Sequence, residues 1–471
     1  MTAPSDDLQK LQETIEKELH YLNQPAKNWV KPAFDKAGNK MLDVAIIGGG
    51  ATGIALAHAL KREGVRNFKV YDKSPEGREG PWITTARMET LRSPKHLTGP
   101  NLGMPNLTFR AWHDAKYGSD AWEPLGKIPK EIWMAYLVWY RMVLGIRVQN
   151  DHSLNSITPK DGAYHLQFQN GVEAIARHVV LATGRAASGG VSLPQEAEAI
   201  SEPYRAHTED LIDYPSLEGK DILVIGGAAS AVDAAATALE AGAAKVTMLI
   251  RAPEMPTINK FKNIVYPGFL SGFYKLPDAE KWAFMKAGFD ARIAPPRDSM
   301  LRLKVFDNFN LKLGTSVQEF VQKEQKVIAK TSKGEFTADF VIFGTGYAMN
   351  MAAQDELKPF ADDICLWRDI YTPPEDLTDA TLASYPYLGD AFQFLAKPGR
   401  KADYLSRLYM FNAAATLTHA PISSDIPGTN TGVQRLSQHL IEQLFVEGSG
   451  GHLQDLKDYD EPELLGDEWD E

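Results

Sequence analysis

Two stretches of this chain place glycines, or residues standing in for them, at the spacing that lets a backbone close on a pyrophosphate. In LDVAIIGGGATGIALAHALKREGVRNFKVYDK, Gly48, Gly50 and Gly53 fall on GxGxxG, and a strand pattern ends in Asp72 nineteen residues after Gly53. Gly48 permits the tight turn, Gly50 a close approach of phosphate, and Gly53 close packing of helix on strand. The N–H groups of Gly49, Ala51 and Thr52 open toward an anion at the helix start, Asp72 is placed to meet a ribose hydroxyl, and Lys73 follows it. Strand, turn, helix and acid agree, so this site binds a dinucleotide; the spacing alone leaves FAD and NAD open.

The second stretch, DILVIGGAASAVDAAATALEAGAAKVTMLIR, keeps Gly226 and Gly227 but has Ala228 and Ala231 where glycines are usual, with Ala229 and Ser230 between them. A methyl group is tolerated at the helix-packing position, whereas Ala228 narrows the approach to a pyrophosphate. Its second strand ends in Arg251 rather than an acid. A guanidinium pairs with a 2′-phosphate that a carboxylate would repel, which favours NADPH over NADH. An ordinary surface arginine after a strand is the other reading.

The elements that must position these turns follow from the pattern. Short apolar strands alternating with helices from Met41 onward indicate parallel sheets with crossover helices. Leu8, Leu11, Ile15, Leu19 and Leu22 have helical spacing and end at Pro25, predicting a helix on the outside of the main body. Trp133, Tyr136, Trp139 and Tyr140, also at helical spacing, read as core.

Composition narrows the function. Cys365 is the single cysteine, so intrachain disulfides, CxxC redox pairs and cysteine-rich metal sites are excluded, and redox chemistry must belong to a cofactor. A net charge of -11 argues against a nucleic-acid partner. The apolar run from Trp133 to Ile146 is interrupted by Arg141 and too short for a membrane span, and the polar opening MTAPSDDLQK is not a secretory signal; a cytoplasmic location is expected. No His, Cys, Asp and Glu cluster has metal-ligand spacing. The acidic tail from Gly451 reads as a solvated, partly ordered terminus.

Two dinucleotide folds in one chain, the second interrupting the first, resemble the two-dinucleotide-binding flavoproteins. Further segments are similar to those of the class B flavin-dependent monooxygenases, which include flavin-containing, N-hydroxylating and Baeyer–Villiger enzymes, over roughly residues 41 to 440. HVVLATG, ending in Thr183 and Gly184, looks like the exit from the FAD domain, and DFVIFGTGY, with Gly344, Thr345, Gly346 and Tyr347, like the exit from the nicotinamide domain. The turn at Pro81 and Trp82 resembles the family's motif beside the isoalloxazine, METLRSP with Thr90, Leu91 and Arg92 resembles a segment of N-hydroxylating members, and Leu154 stands where backbone meets the adenine. In PYRAHTED, His207 and Thr208 match the family's recognition motif, while Ser201 and Pro203 replace its Phe and Gly. Leu211 stands where a Baeyer–Villiger enzyme has tryptophan, which counts against that chemistry. The asparagine of typical flavin-containing enzymes falls near Arg92, and the substrate-binding lysine of N-hydroxylases near Ala86, beside Arg87.

The resemblance implies an α/β protein of two Rossmann-like domains, the NADPH domain inserted into the FAD domain. The expected division is a helical extension at 1–40, FAD domain at 41–215 and 348–445, nicotinamide domain at 216–347, and an acidic tail at 446–471. It implies FAD and NADPH, and transfer of one oxygen atom from O2 to a small organic substrate through a C4a-(hydro)peroxyflavin. The alternatives are an NAD(P)H oxidase or dehydrogenase without oxygen insertion, and a non-catalytic redox sensor. Catalytic roles fall to Arg92, as a positive group beside the flavin, with a surface or structural arginine paired with a nearby carboxylate as the other reading, and to His207, which reads equally as a hinge histidine bonded to backbone. A homo-oligomer stays open. Near the C-terminus, His419, Ser423, Ser424 and Asp425 read as a loop at the flavin or the domain interface, and Gly389 with Asp390 as a turn or a ribityl contact.

Overall fold

The structure is a computed structural model and describes residues 6–469; the outermost residues of the expected extension and tail, 1–5 and 470–471, lie outside it. The chain opens with α1 (Asp6–Tyr21), which buries Leu11 and Ile15 and packs against a later helix, α3. Strand β1 (Leu42–Ile47), buried from Asp43 onward, then leads through the first glycine turn into α2 (Ala51–Arg62) and β2 (Phe68–Tyr71). Helices α3 (Phe109–Tyr117) and α4 (Lys130–Val143) follow; Trp133, Tyr136 and Trp139 of α4 are buried against Phe109 and Trp112, and Tyr140 against His58. Strands β3 (Val148–Gln149), β4 (Leu154–Lys160), β5 (Ala163–Phe168) and β6 (Glu173–Leu181) extend the first sheet in the order β3-β2-β1-β6-β5-β4.

A second sheet begins before the first is finished. Its strands are β7 (Arg205–His207), β8 (Asp221–Ile225), β9 (Lys245–Ile250), β10 (Phe309–Leu313) and, after an antiparallel three-stranded meander of β11 (Val317–Lys323), β12 (Lys326–Thr331) and β13 (Gly334–Ala338), β14 (Phe340–Phe343). The order is β10-β9-β8-β14-β7 and every pairing is parallel. Helix α5 (Ala229–Glu240) follows β8, and its alanine-rich inner face lets it lie close to that sheet. Only then does β15 (Leu408–Met410) pair in parallel with β6 and complete the first sheet. The inserted α/β architecture expected from the sequence is therefore present.

One segment crosses between the units. Between β9 and β10 lie α6 (Pro267–Gly272), α7 (Asp278–Asp290) and α8 (Arg297–Lys304). Leu303 of α8 packs in the core of the second sheet, but Phe269, Leu270, Phe273, Trp282 and Met285 pack in the core of the first. Trp282 donates Nε1–H to the Leu377 carbonyl at 2.8 Å. By sequence this stretch falls within 216–347, the expected nicotinamide domain; by packing, much of it belongs with the first sheet. Among the described residues no helix is long and apolar enough to cross a membrane, and no group of three or more His, Cys, Asp or Glu is placed to hold a metal ion.

Candidate active site

At the end of β1 the backbone of Gly48 adopts φ 112°, and a Cβ there would lie 2.2 Å from the Ala182 carbonyl oxygen. A Cβ on Gly53 would sit 1.8 Å from the Gly48 oxygen. Glycine at both positions is thus demanded by the chain's own backbone. Gly50 differs: its φ of -71° suits any residue, and a Cβ would meet nothing within 4 Å. It sits at the N-cap of α2 with no side-chain cap, so the helix's first N–H groups, around Ala51 and Thr52, remain available to an anion. This is the cradle a pyrophosphate fits, with glycine at the one place the protein itself does not require it. Asp72, 7 % exposed, accepts from Gly49 N and Ser74 N at 2.7 Å each, bracing the turn. Lys73 beside it is exposed, and Leu154 starts β4, half-buried opposite Phe168.

The second turn repeats this geometry. Gly226 has φ 121°, and its Cβ would lie 2.4 Å from the Gly344 oxygen. The Ala231 methyl is accommodated because Gly344 faces it: a Cβ on Gly344 would come within 2.3 Å of the Ala231 Cβ. A Cβ on Gly227 would meet Ile250 at 2.8 Å. Ala228 takes the place of Gly50, uncapped at φ -81°, with Ala229 and Ser230 opening α5. Arg251, just beyond β9, is exposed, and among the described residues it has no hydrogen bond or ion pair.

The exits from the two sheets are stitched together. After β6, Thr183 Oγ1 accepts from Asn412 Nδ2 at 3.0 Å, Gly184 turns at φ 76°, and Arg185 pairs with Asp425 at 2.5 Å. After β14, Gly346 O accepts from Ser192 N at 2.9 Å, Thr345 Oγ1 donates to the Ser192 carbonyl, and Tyr347 bridges Val191. Tyr347 donates its hydroxyl to Glu209 at 2.6 Å; burial, with that carboxylate, raises its pKa. Both cradles lie at the carboxyl ends of parallel strands, where open α/β sheets bind ligands.

His207 ends β7 only 2 % exposed. Its Nδ1 accepts from Glu209 N at 3.1 Å, which leaves the ring proton on Nε2, buried beside the Gly346 backbone and without a well-formed hydrogen bond among the described residues. Burial, opposed by Asp210, lowers its pKa, so the ring is neutral at pH 7. Its ring centroid is 6.2 Å from that of Tyr347. Arg92 reaches across to α5, 3.5 Å from the carboxylate of Asp233, a buried residue. Trp82 is half-buried, edge-on to Trp133 at 6.0 Å. Gly389 makes a turn closed by its N–H to Gln393 O at 2.9 Å, and its own carbonyl accepts from His419 Nε2 at 2.9 Å.

Arg87 is spent on the backbone: Nη1 donates to Thr85 O at 2.5 Å and to Thr208 O, and Nη2 to Asp210 O. It is therefore not free to hold a substrate carboxylate. A cavity of about 830 Å³ opens beside it, lined by Thr90, Lys130, Leu211, Tyr214 and Arg302 among others; neither glycine turn reaches it. Asn412, Arg185 and Asp233 escaped the sequence reading. Only Asp233 carried a signal, as the single charge on the buried face of AVDAAATAL.

Residues 45–294 match the model of the pyridine nucleotide-disulphide oxidoreductase family. An FAD-dependent urate hydroxylase of Xanthomonas campestris pv. campestris is 34% identical over 462 residues, 98% of each chain. Among solved structures, the ornithine hydroxylase PvdA of Pseudomonas aeruginosa superposes with a TM-score of 0.68 at 17% identity, covering 86% of this chain and 100% of the other. An ornithine N-hydroxylase of Kutzneria sp. 744, in a complex described as FADred–NADP+–L-orn, gives a TM-score of 0.66 at 15% identity, over 86% of this chain and 99% of that one.

Proposed function

For this chain, which belongs to the pyridine nucleotide-disulphide oxidoreductase family and within it is a flavin-dependent monooxygenase of the class B type, we propose NADPH as reductant and urate, or a similarly small planar heterocycle, as substrate. The observation that carries this reading is the end-to-end 34% likeness to a urate hydroxylase over both dinucleotide cradles and their stitched exits. With Cys365 as the lone cysteine, disulfide reduction through a protein dithiol has no place in it.

In this reading FAD lies in the cradle of Gly48–Gly53 and NADPH in that of Gly226–Ala231. The chemistry a bound FAD would supply is acceptance of a hydride from NADPH and, with O2, transfer of one oxygen atom to the substrate, the other leaving as water. The chain's own part is to bind, orient and keep water out. The N–H groups at the start of α2 hold the pyrophosphate, and Asp72, with lone pairs to spare beyond its two backbone bonds, accepts from a ribose hydroxyl. The unpaired guanidinium of Arg251 is matched to a 2′-phosphate. Neutral His207 holds its Nε2–H beside the Gly346 backbone at the junction of the exits, without a well-formed bond among the described residues, where a cofactor amide or substrate carbonyl would satisfy it. Trp82 and the Thr183–Gly184 and Gly344–Tyr347 exits wall the site. Arg92 keeps donors free beyond the one facing Asp233, and places positive charge between the two units.

The test is to load the protein with FAD, supply NADPH and ¹⁸O2, and follow urate by mass spectrometry. Urate-stimulated NADPH oxidation with one labelled oxygen in the product is the expected result. NADPH oxidation that yields hydrogen peroxide alone, indifferent to urate, would replace monooxygenation of urate by the oxidase reading.

A further inference from the structure

Arg87 sits on a loop of the first unit, yet the partners of its guanidinium include the carbonyls of Thr208 and Asp210, in the strand end and turn that follow His207. Thr208 N in turn donates to Phe343 O at 2.9 Å, the last residue of β14 before Gly344. One side chain therefore joins the first unit to the carboxyl edge of the second sheet, where its glycine turn opens. The Tyr214 ring covers the guanidinium at 5.3 Å. The Arg87 carbonyl accepts from Arg302 Nη1 at 3.1 Å, and Arg302 is anchored on α5 by Glu240 at 2.7 Å, Thr237 at 3.3 Å and Asp233 at 3.4 Å. Arg92, five residues on, faces the other oxygen of the same buried Asp233 at 3.5 Å. The loop is thus fastened to the second unit at the end of β7 and along α5.

We propose that Arg87 is a positioning residue that sets the angle between the two dinucleotide-binding units, and through it the approach of hydride donor to acceptor. This rests on the FAD and NADPH reading above. Arginine is needed because its planar fork reaches carbonyls two residues apart at once, which an ammonium on a flexible stem does not. The cavity beside Arg87 leaves that side of the loop without packing, so at this edge the loop is joined to the second unit by hydrogen bonds. Hydride transfer is steep in distance: an error of about 1 Å costs roughly 100-fold in rate.

Arg87→Met and Arg87→Lys, purified with FAD, are compared with wild type in three measurements: flavin content, anaerobic bleaching of the flavin over a range of NADPH concentrations up to saturation, and amide hydrogen exchange over residues 205–214. The expected result is unchanged flavin content, an NADPH dissociation constant within ~3-fold of wild type, bleaching slowed by ~10-fold or more, and faster exchange at 208–214, with Lys intermediate. A merely structural arginine would lower stability without separating the bleaching rate from NADPH affinity. Should Arg87→Met not fold, Tyr214→Leu, which leaves the three carbonyl bonds of Arg87 in place but uncovers it, is expected to repeat the pattern at ~2- to 3-fold. Bleaching at the wild-type rate in a folded Arg87→Met or Tyr214→Leu protein overturns the inference and leaves the cofactor reading standing. Wild-type flavin that NADPH cannot bleach overturns both.

Discussion

Two glycines three residues apart have opposite sensitivities. A methyl at Gly53 must displace the Gly48 carbonyl, 1.8 Å away, so Gly53→Ala should lose about 1–3 kcal/mol or more of stability, read as a lowered urea midpoint of the apoprotein. At Gly50 the methyl meets no protein atom and the backbone is unstrained. Gly50→Ala should leave that midpoint unchanged while weakening flavin binding by roughly tenfold or more, about 1.4 kcal/mol; a wild-type flavin affinity would show that no pyrophosphate approaches there. Arg251→Gln should weaken NADPH by roughly tenfold and leave NADH unaffected, since the guanidinium has no bond among the described residues to lose; equal effects on the two would remove the 2′-phosphate contact. The glycine spacing was legible because each requirement is local to one turn. Arg87 was not: its partners are carbonyls, which every residue carries, and those of Thr208 and Asp210 lie more than a hundred positions along the chain. Asn412 likewise holds Thr183 across 229 positions with no motif to mark it.

Elements of the first sheet are tied to the long helix Thr429–Glu447 by charge as well as packing. At the end of that helix, Glu447 accepts from Arg177 of β6 at 2.6 Å and lies 3.2 Å from His178 Nε2, while Arg177 also pairs with Asp43 of β1 at 3.1 Å. Burial alone would raise the Glu447 pKa, but His178 and Arg177 outweigh it and hold the carboxyl at about 2, below its ordinary 4.5. Because the folded value is the lower one, this stabilisation is complete above pH 4.5 and is lost as pH falls toward about 2. His178, whose pKa burial lowers, adds to acid sensitivity in the same direction, starting below its ordinary 6.5. Glu447→Gln should therefore lower the melting temperature at pH 7 and flatten its fall between pH 4.5 and the acid limit; parallel pH curves for wild type and variant would remove Glu447 from the account. Strand and helix patterning announced these elements. It did not announce that α6 and α7 leave the second sheet for the first core, because Phe269, Phe273 and Trp282 are apolar residues that either core would accept.

At the scale of the whole molecule, that crossing segment makes the two units mechanically dependent. Trp282→Ala, which empties a fully buried site on the first core, should cost about 3–5 kcal/mol. If α7 is a true bridge, the loss should appear in calorimetry as a single transition splitting into two; one unsplit transition at lower temperature would show that α7 merely fills space. The order in which strands enter the sheets carries a different consequence, for synthesis. Translation delivers β1 to β6, then the entire second sheet, and only near residue 408 the strand that covers the remaining edge at the end of β6. Until then Val179, Val180 and Leu181 of β6, paired with β1 on one side, have no strand on the other, although their own side chains are among the most buried in the finished protein. On the ribosome the later-encoded half-molecule closes first, and the earlier one waits with an open strand edge, the kind of surface that chaperones shield and that aggregation exploits.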